Sequence, residues 1–342
     1  MRYALVLPGR GSYTETSLGT LNAAGAKSEA AAALVARTEA KRAEYELPSL
    51  LELDAAERFS AAKHLRPANV SALIWLATML DVEAAKSARP NDQLVAVCGN
   101  SMGWYTALAV GGALSLEDGY RLVQEVALLQ EAQKGGGQLL YPLMDSDWRP
   151  APALRLAVES AVASSKGEAF HSIDLGGFCV LAGSDQGLAH LVGALAPIEA
   201  GLLGRNAFPL RLAQHGPYHT PLVSEVSIRA QRQLADLDWQ RPEVTLVDGR
   251  GSQFTPWATS PRELMGYTLG HQITRPFDFT RSVRVVLREL APERLVLPGP
   301  GNTLGSICGQ ILVQEGWRGI HSRSDFEAAQ ASDQPILDSL RR

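Results

Sequence analysis

The sequence predicts an α/β protein: an α/β-hydrolase-like core with a mainly parallel sheet, interrupted by an inserted ferredoxin-like subdomain. Three observations predict it. Short apolar runs at 3–7, 94–98 and 294–297 alternate with helical stretches, and each ends in a glycine-rich turn. That is the pattern of strands covered on both faces. Second, the run 94–98 passes through Gly99-Asn100-Ser101-Met102-Gly103 into a small-residue helix at 106–110. This G-x-S-x-G turn stands in the strand–turn–helix context that lifts a serine clear of a sheet. Third, between 135 and 212 the order becomes strand-helix-strand-strand-helix-strand, a split βαβ pattern.

In chain order, the strand at 3–7 ends in Pro8-Gly9-Arg10-Gly11-Ser12. Alanine-rich helical pattern covers 17–43, and further helical periodicity covers 50–53 and 68–80, with Pro67 at the start of the latter. A polar linker at 84–92 leads into the serine elbow. Ser115-Leu116-Glu117-Asp118 is a capping box that opens a long helix to about 133. Lys134-Gly135-Gly136-Gly137 breaks it. The insertion has strands at 139–143, 170–173, 178–182 and 208–212, and helices at 153–165 and 185–196. The core, residues 1–134 and 213–342, then resumes. It has helices at 221–237, 261–269, 279–290 and 304–315 and strands at 244–247 and 294–297. The tail after Ser322 is polar and expected to be peripheral. In a parallel sheet the site lies at the carboxyl ends of the strands. The turns after Leu7, Cys98 and Leu297 should therefore share one crevice.

The 342 residues suffice for a substantial core, and a net charge of -4 gives no reason to expect nucleic acid or an anionic membrane as partner. No run reads as long enough to span a bilayer, and the chain enters its first strand with no basic-then-apolar leader. Cys98, Cys179 and Cys308 lie in apolar stretches without metal-ligand spacing, as buried thiols of a cytoplasmic protein do. No metal and no cofactor is expected.

A serine nucleophile needs a base within hydrogen-bond reach. Of seven histidines, His64, His171, His190 and His321 fall at apparent surface positions or element ends. His215, His219 and His271 are the candidates.

Five stretches, in order, carry a family resemblance. PGRGS resembles PGQGSQ, GNSMGWYTAL resembles GHSLGEYSAL, and GPYHTPLV resembles GAFHSPLM. LGHQITRPFDF resembles L-x-x-Q-x-x-x-P-V-x-W, and LPGPGNTL resembles V-G-P-G-x-x-L. From about residue 3 to 315 the chain resembles the malonyl-CoA:acyl carrier protein transacylase family, including the acyltransferase domains of polyketide and fatty acid synthases. The resemblance implies Ser101 as nucleophile, His219 as base and the backbone carbonyl of Gln272 as the group orienting the imidazole. It implies an oxyanion hole made by the N–H groups of Met102 and Arg10. Acyl-CoA and an acyl carrier protein are the implied partners.

Departures bear on the substrate. Where the malonyl enzymes place an arginine for the extender carboxylate, the gapless count from the serine reaches Val126. An apolar residue cannot hold a carboxylate, and burying one unpaired costs several kcal/mol. Asp174 stands near a family Asn-Ser-Pro, Asn100 replaces the histidine before the serine, and Trp104 replaces a glutamate after it. Val126, Asp174, Asn100 and Trp104 are thus the candidate substrate-binding positions, and a neutral acyl group is expected over malonyl. Hydrolysis of the same acyl-enzyme, and a degenerate carrier-docking subunit, are the competing readings.

Overall fold

The computed structural model describes residues 1–201 and 206–341. Residues 202–205 of the expected insertion, and Arg342, lie outside the described residues. The fold is mixed α/β, built on two sheets.

The larger sheet has the order β11-β10-β1-β2-β7-β8. Its strands are β1 (Arg2–Leu7), β2 (Gln93–Gly99), β7 (Thr245–Val247), β8 (Gln253–Phe254), β10 (Arg294–Leu297) and β11 (Leu337–Ser339). All neighbours are parallel except β7 and β8. Leu5 pairs with Val97 on one side and Val296 on the other, and Val97 pairs with Leu246. These residues are fully buried, because helices cover the sheet on both faces.

The smaller sheet has the order β6-β3-β5-β4-β9, with β3 (Gly137–Pro142), β4 (Ala169–Leu175), β5 (Phe178–Gly183), β6 (Leu210–Arg211) and β9 (Phe277–Asp278). Hydrogen-bonded neighbours among the first four are antiparallel, while β9 joins β4 in parallel, Ile173 opposite Phe277. Helices Pro152–Ser164 and Asp185–Ala194 pack on this sheet around a separate apolar cluster that includes Leu139, Tyr141, Val158, Leu181 and Leu191.

Several expectations change. The helix from Pro67 runs to Ala88, not residue 80, because Val82 and Ala85 keep its face buried past Asp81. By length and composition it could cross a membrane, contrary to expectation, yet 78% of its most apolar window is buried in the fold. The tail is not peripheral. A helix at Arg323–Gln330 leads to β11, whose Leu337 is buried beside β10, and Arg341 pairs with Asp81. His64 ends the helix Ala61–His64 but is not at the surface: it is buried, its Nδ1 accepting from the Ser60 N–H and its Nε2–H donating to the Leu53 carbonyl.

Candidate active site

The turn after β2 forces Ser101 into the left-handed region, φ 52°, a conformation a serine adopts at a cost the surrounding packing must offset. Two glycines let that packing close. A Cβ on Gly9 would sit 2.5 Å from the Asn100 carbonyl oxygen, and one on Gly103 would sit 2.4 Å from that of Leu7. The Asn100 N–H also donates to the Leu7 carbonyl at 2.9 Å. The loops after β1 and β2 are thus packed backbone to backbone. The helix Gly103–Val110 starts directly behind the serine. Its dipole favours negative charge there.

Ser101 Oγ lies 2.8 Å from His219 Nε2, and His219 Nδ1 lies 2.7 Å from the Gln272 carbonyl oxygen. The Nδ1–H donates to that carbonyl, so Nε2 carries the lone pair and accepts a hydrogen bond from the serine hydroxyl. His219 itself has φ 59°, and its N–H donates to the Ile273 carbonyl at 3.1 Å. Burial, more than any other cause, pushes the imidazole down to about 4. The Gln272 carbonyl opposes that shift, and the charge of Arg10 adds to it. The imidazole is therefore neutral at pH 7.

Gln272 also acts through its side chain. Its Nε2 donates to the Ser101 carbonyl at 3.0 Å, and its Oε1 accepts from the Tyr105 hydroxyl at 2.6 Å. Tyr105, unmarked by the sequence reading, lies on the elbow helix Gly103–Val110, and no local pattern in the sequence points to its bond with Gln272. A π-helical turn, Tyr267–His271, delivers the chain to Gln272, as such turns often do beside functional groups. The N–H groups of Met102 and Arg10 donate no hydrogen bond to a backbone carbonyl among the described residues.

A cavity of about 210 Å³ opens at Ser101, between the two sheets. Arg10, Asn100, Gln138 and His215 give its polar lining. Leu140, Ile173, Leu175 and Val180 from the smaller sheet, with Leu304 and Ile307 from the helix Thr303–Gln314, give an aliphatic wall. A larger cleft of about 580 Å³, lined by Arg250, Tyr267 and His271, contains no part of the serine–histidine pair. His271 thus lies apart from Ser101, stacked on Tyr267. His215 reaches the cavity, but its Nδ1–H donates to the Ala213 carbonyl.

Of the four expected substrate-binding positions, Asn100 alone lines this cavity. Val126 is 1% exposed, within the main core, and is not among the residues lining the cavity. Asp174 lies between Ile173 and Leu175 on β4, so strand alternation turns it from the face those two present. It pairs in register with Asp278. Trp104 is fully buried, edge-on to Tyr267, and its Nε1–H donates to Thr268 Oγ1 at 3.0 Å. It is a packing residue. Among the described residues, no group of three or more His, Cys, Asp or Glu side chains could hold a metal ion.

The site thus brings a serine hydroxyl, a histidine and a main-chain carbonyl into one hydrogen-bonded chain. No model of a known family matches the chain. The malonyl CoA-acyl carrier protein transacylase of Escherichia coli K12 is 25% identical over 318 residues, 91% of this chain and 93% of that protein. The malonyl-CoA:ACP transacylase of Synechocystis superposes with a TM-score of 0.75 at 16% identity, over 99% of this chain and 97% of that one. A type II polyketide malonyl-transacylase, solved in complex with its acyl-carrier protein, superposes with a TM-score of 0.73 at 19% identity, over 100% and 96%. The structural likenesses establish the fold. The sequence likeness, nearly end to end, is to the malonyl-CoA:acyl carrier protein transacylases.

Proposed function

We propose that the protein is an acyltransferase that moves an acyl group from acyl-CoA, through an ester on Ser101, to the phosphopantetheine thiol of an acyl carrier protein in fatty acid or polyketide synthesis. The observation that carries this reading is the 2.8 Å contact of Ser101 Oγ with His219 Nε2, with that imidazole held by the Gln272 carbonyl at 2.7 Å. Ser101 Oγ attacks the thioester carbon as His219 Nε2 takes its proton. The oxyanion is received by the N–H groups of Met102 and Arg10. Collapse breaks the C–S bond, and the imidazolium returns the proton to the leaving thiolate. The carrier thiol then gives its proton to His219 and attacks the ester, and Ser101 Oγ regains the proton as it leaves. A carbonyl in place of a carboxylate fixes the tautomer but stabilises the imidazolium less.

The same reading takes residues 1–134 and 213–342 as an α/β-hydrolase-like core and 135–212 as a ferredoxin-like insertion. The order β6-β3-β5-β4 and the separate apolar cluster support the insertion. A cytoplasmic setting fits three buried, unpaired cysteines. For the acyl group itself, the aliphatic wall of the cavity favours the neutral group expected from the sequence, while Arg10 favours an anionic one.

Intact-mass measurement after mixing with a panel of acyl-CoAs tests the proposal. An acyl adduct should form on the wild type and be absent from Ser101→Ala. A carrier protein should remove the adduct faster than water does. Equal loss with and without the carrier would instead make the protein a thioester hydrolase.

A further inference from the structure

Arg10 is one of the residues lining the cavity that contains Ser101, and its guanidinium is held beside Tyr218, another lining residue. Its Nη2–H donates to Gln130 Oε1 at 2.6 Å and its Nη1–H to the Tyr218 hydroxyl at 3.3 Å, and it lies 4.2 Å from the Tyr218 ring centroid. Both partner residues are neutral. Among the described residues no carboxylate lies within ion-pair distance of it. A half-buried cation facing a cavity without a counter-ion is costly unless an anion enters to pair with it. A guanidinium has five donors in a fork that fits a carboxylate, and two of the five are engaged here.

An independent observation concerns Asn100. It is 8% exposed, lines the same cavity, and its buried Oδ1 has no hydrogen-bond partner. A side-chain amide left unpaired beside the nucleophile is a group waiting for a ligand. Turned about its last bond, it can offer its NH₂ instead.

The third observation fixes where the cation sits. Gln130 is one helical turn beyond Val126 on the helix Leu116–Ala132, so the two share a face. Arg10, held at Gln130, therefore brings its charge to the flank of the helix position from which the family arginine would project. The cation that Val126 lacks arrives from the loop after β1.

We propose that Arg10 is the specificity-determining residue of the cavity, and that it binds the free carboxylate of a dicarboxylic acid half-thioester, with Asn100 completing the polar end. This rests on the acyl-enzyme reading above. One residue then serves both ends of the acyl group: its N–H faces the thioester oxygen and its side chain grips the distal carboxylate. The neutral-acyl expectation took Val126 to leave the pocket without a cation, and Arg10 removes that ground.

The test is the ratio of Ser101 acylation rates from malonyl-CoA and acetyl-CoA, read by intact mass on the full chain. The wild type should favour malonyl-CoA. In Arg10→Gln the ratio should fall by roughly tenfold to several hundredfold, the loss of a charge-assisted fork. Arg10→Gln combined with Val126→Arg should recover much of it, because the charge returns to the same helix face. A wild type that prefers acetyl-CoA would overturn the assignment, and this result needs no variant to fold. A ratio unchanged in Arg10→Gln would also overturn it. Failure of every acyl-CoA to label Ser101 would instead sink the acyl-enzyme reading itself.

Discussion

The two sides of the cavity are built by different means. On the side of the serine and histidine, most constraints are backbone constraints. Ser101 and His219 both have positive φ, two glycines allow carbonyl oxygens to approach, and the imidazole is held by a main-chain carbonyl. On the opposite side of the cavity the features are side chains: Arg10, the Asn100 amide and aliphatic residues from the smaller sheet and a helix. Backbone constraints tie function to a few local residue patterns. Side-chain constraints do not, since a charge can reach one point in space from several elements.

This contrast can be attacked in order of expected effect. His219→Ala should lower acylation by roughly a hundred- to ten-thousandfold, the usual worth of a positioned base. If His215→Ala does so instead, the base has been misplaced. A pH series comes next. With His219 pushed down to about 4, the base is free throughout the neutral range, and acylation should fall only as pH drops through that value. Folding should weaken over a wider window. A histidine depressed in the folded state stabilises fully above its unfolded value near 6.5, and that contribution is lost as pH falls toward 4. An acid limb centred near 6.5 would show that burial does not control this imidazole. The smallest effect is expected of Gln272→Ala. It keeps the carbonyl that holds His219 and loses the bonds to Ser101 and Tyr105. Two hydrogen bonds of ordinary strength give a loss of roughly five- to thirtyfold. The malonyl-to-acetyl ratio should not move, because those bonds are on the backbone-built side.

The same contrast explains what could be read from the chain. Ser101 was legible from the glycines and the strand–turn–helix order of its elbow, whereas His219 was one of three candidate histidines until the family resemblance picked it and Gln272 out; the structure brings all three within hydrogen-bond range. The capping box at Ser115 was legible too, its hydroxyl accepting from the Asp118 N–H. Strands β8, β9 and β11 were not, since two or three residues carry no periodicity. Val126 illustrates the harder failure. Counting placed it on the right helix, but the count says nothing of which side chain reaches the cavity. Trp104 read as a possible specificity residue because it departs from the family pattern, yet Thr268 and Tyr267 make it part of the core.

Strand β9 has a consequence for any attempt to dissect the molecule. It belongs to the segment that follows Gln272, yet it completes the edge of the smaller sheet, and its Phe277 ring lies 5.5 Å from the His219 ring. Cutting the chain at 135 and 212 would free the backbone of β4 at Ile173 and Asp174. It would also uncover Phe277, now 1% exposed. Each fragment would then carry a bare strand edge or an apolar flank, the surfaces through which proteins stick to their own kind. An excised piece 135–212 should therefore aggregate unless Ile173 and Asp174 are first given another strand to pair with.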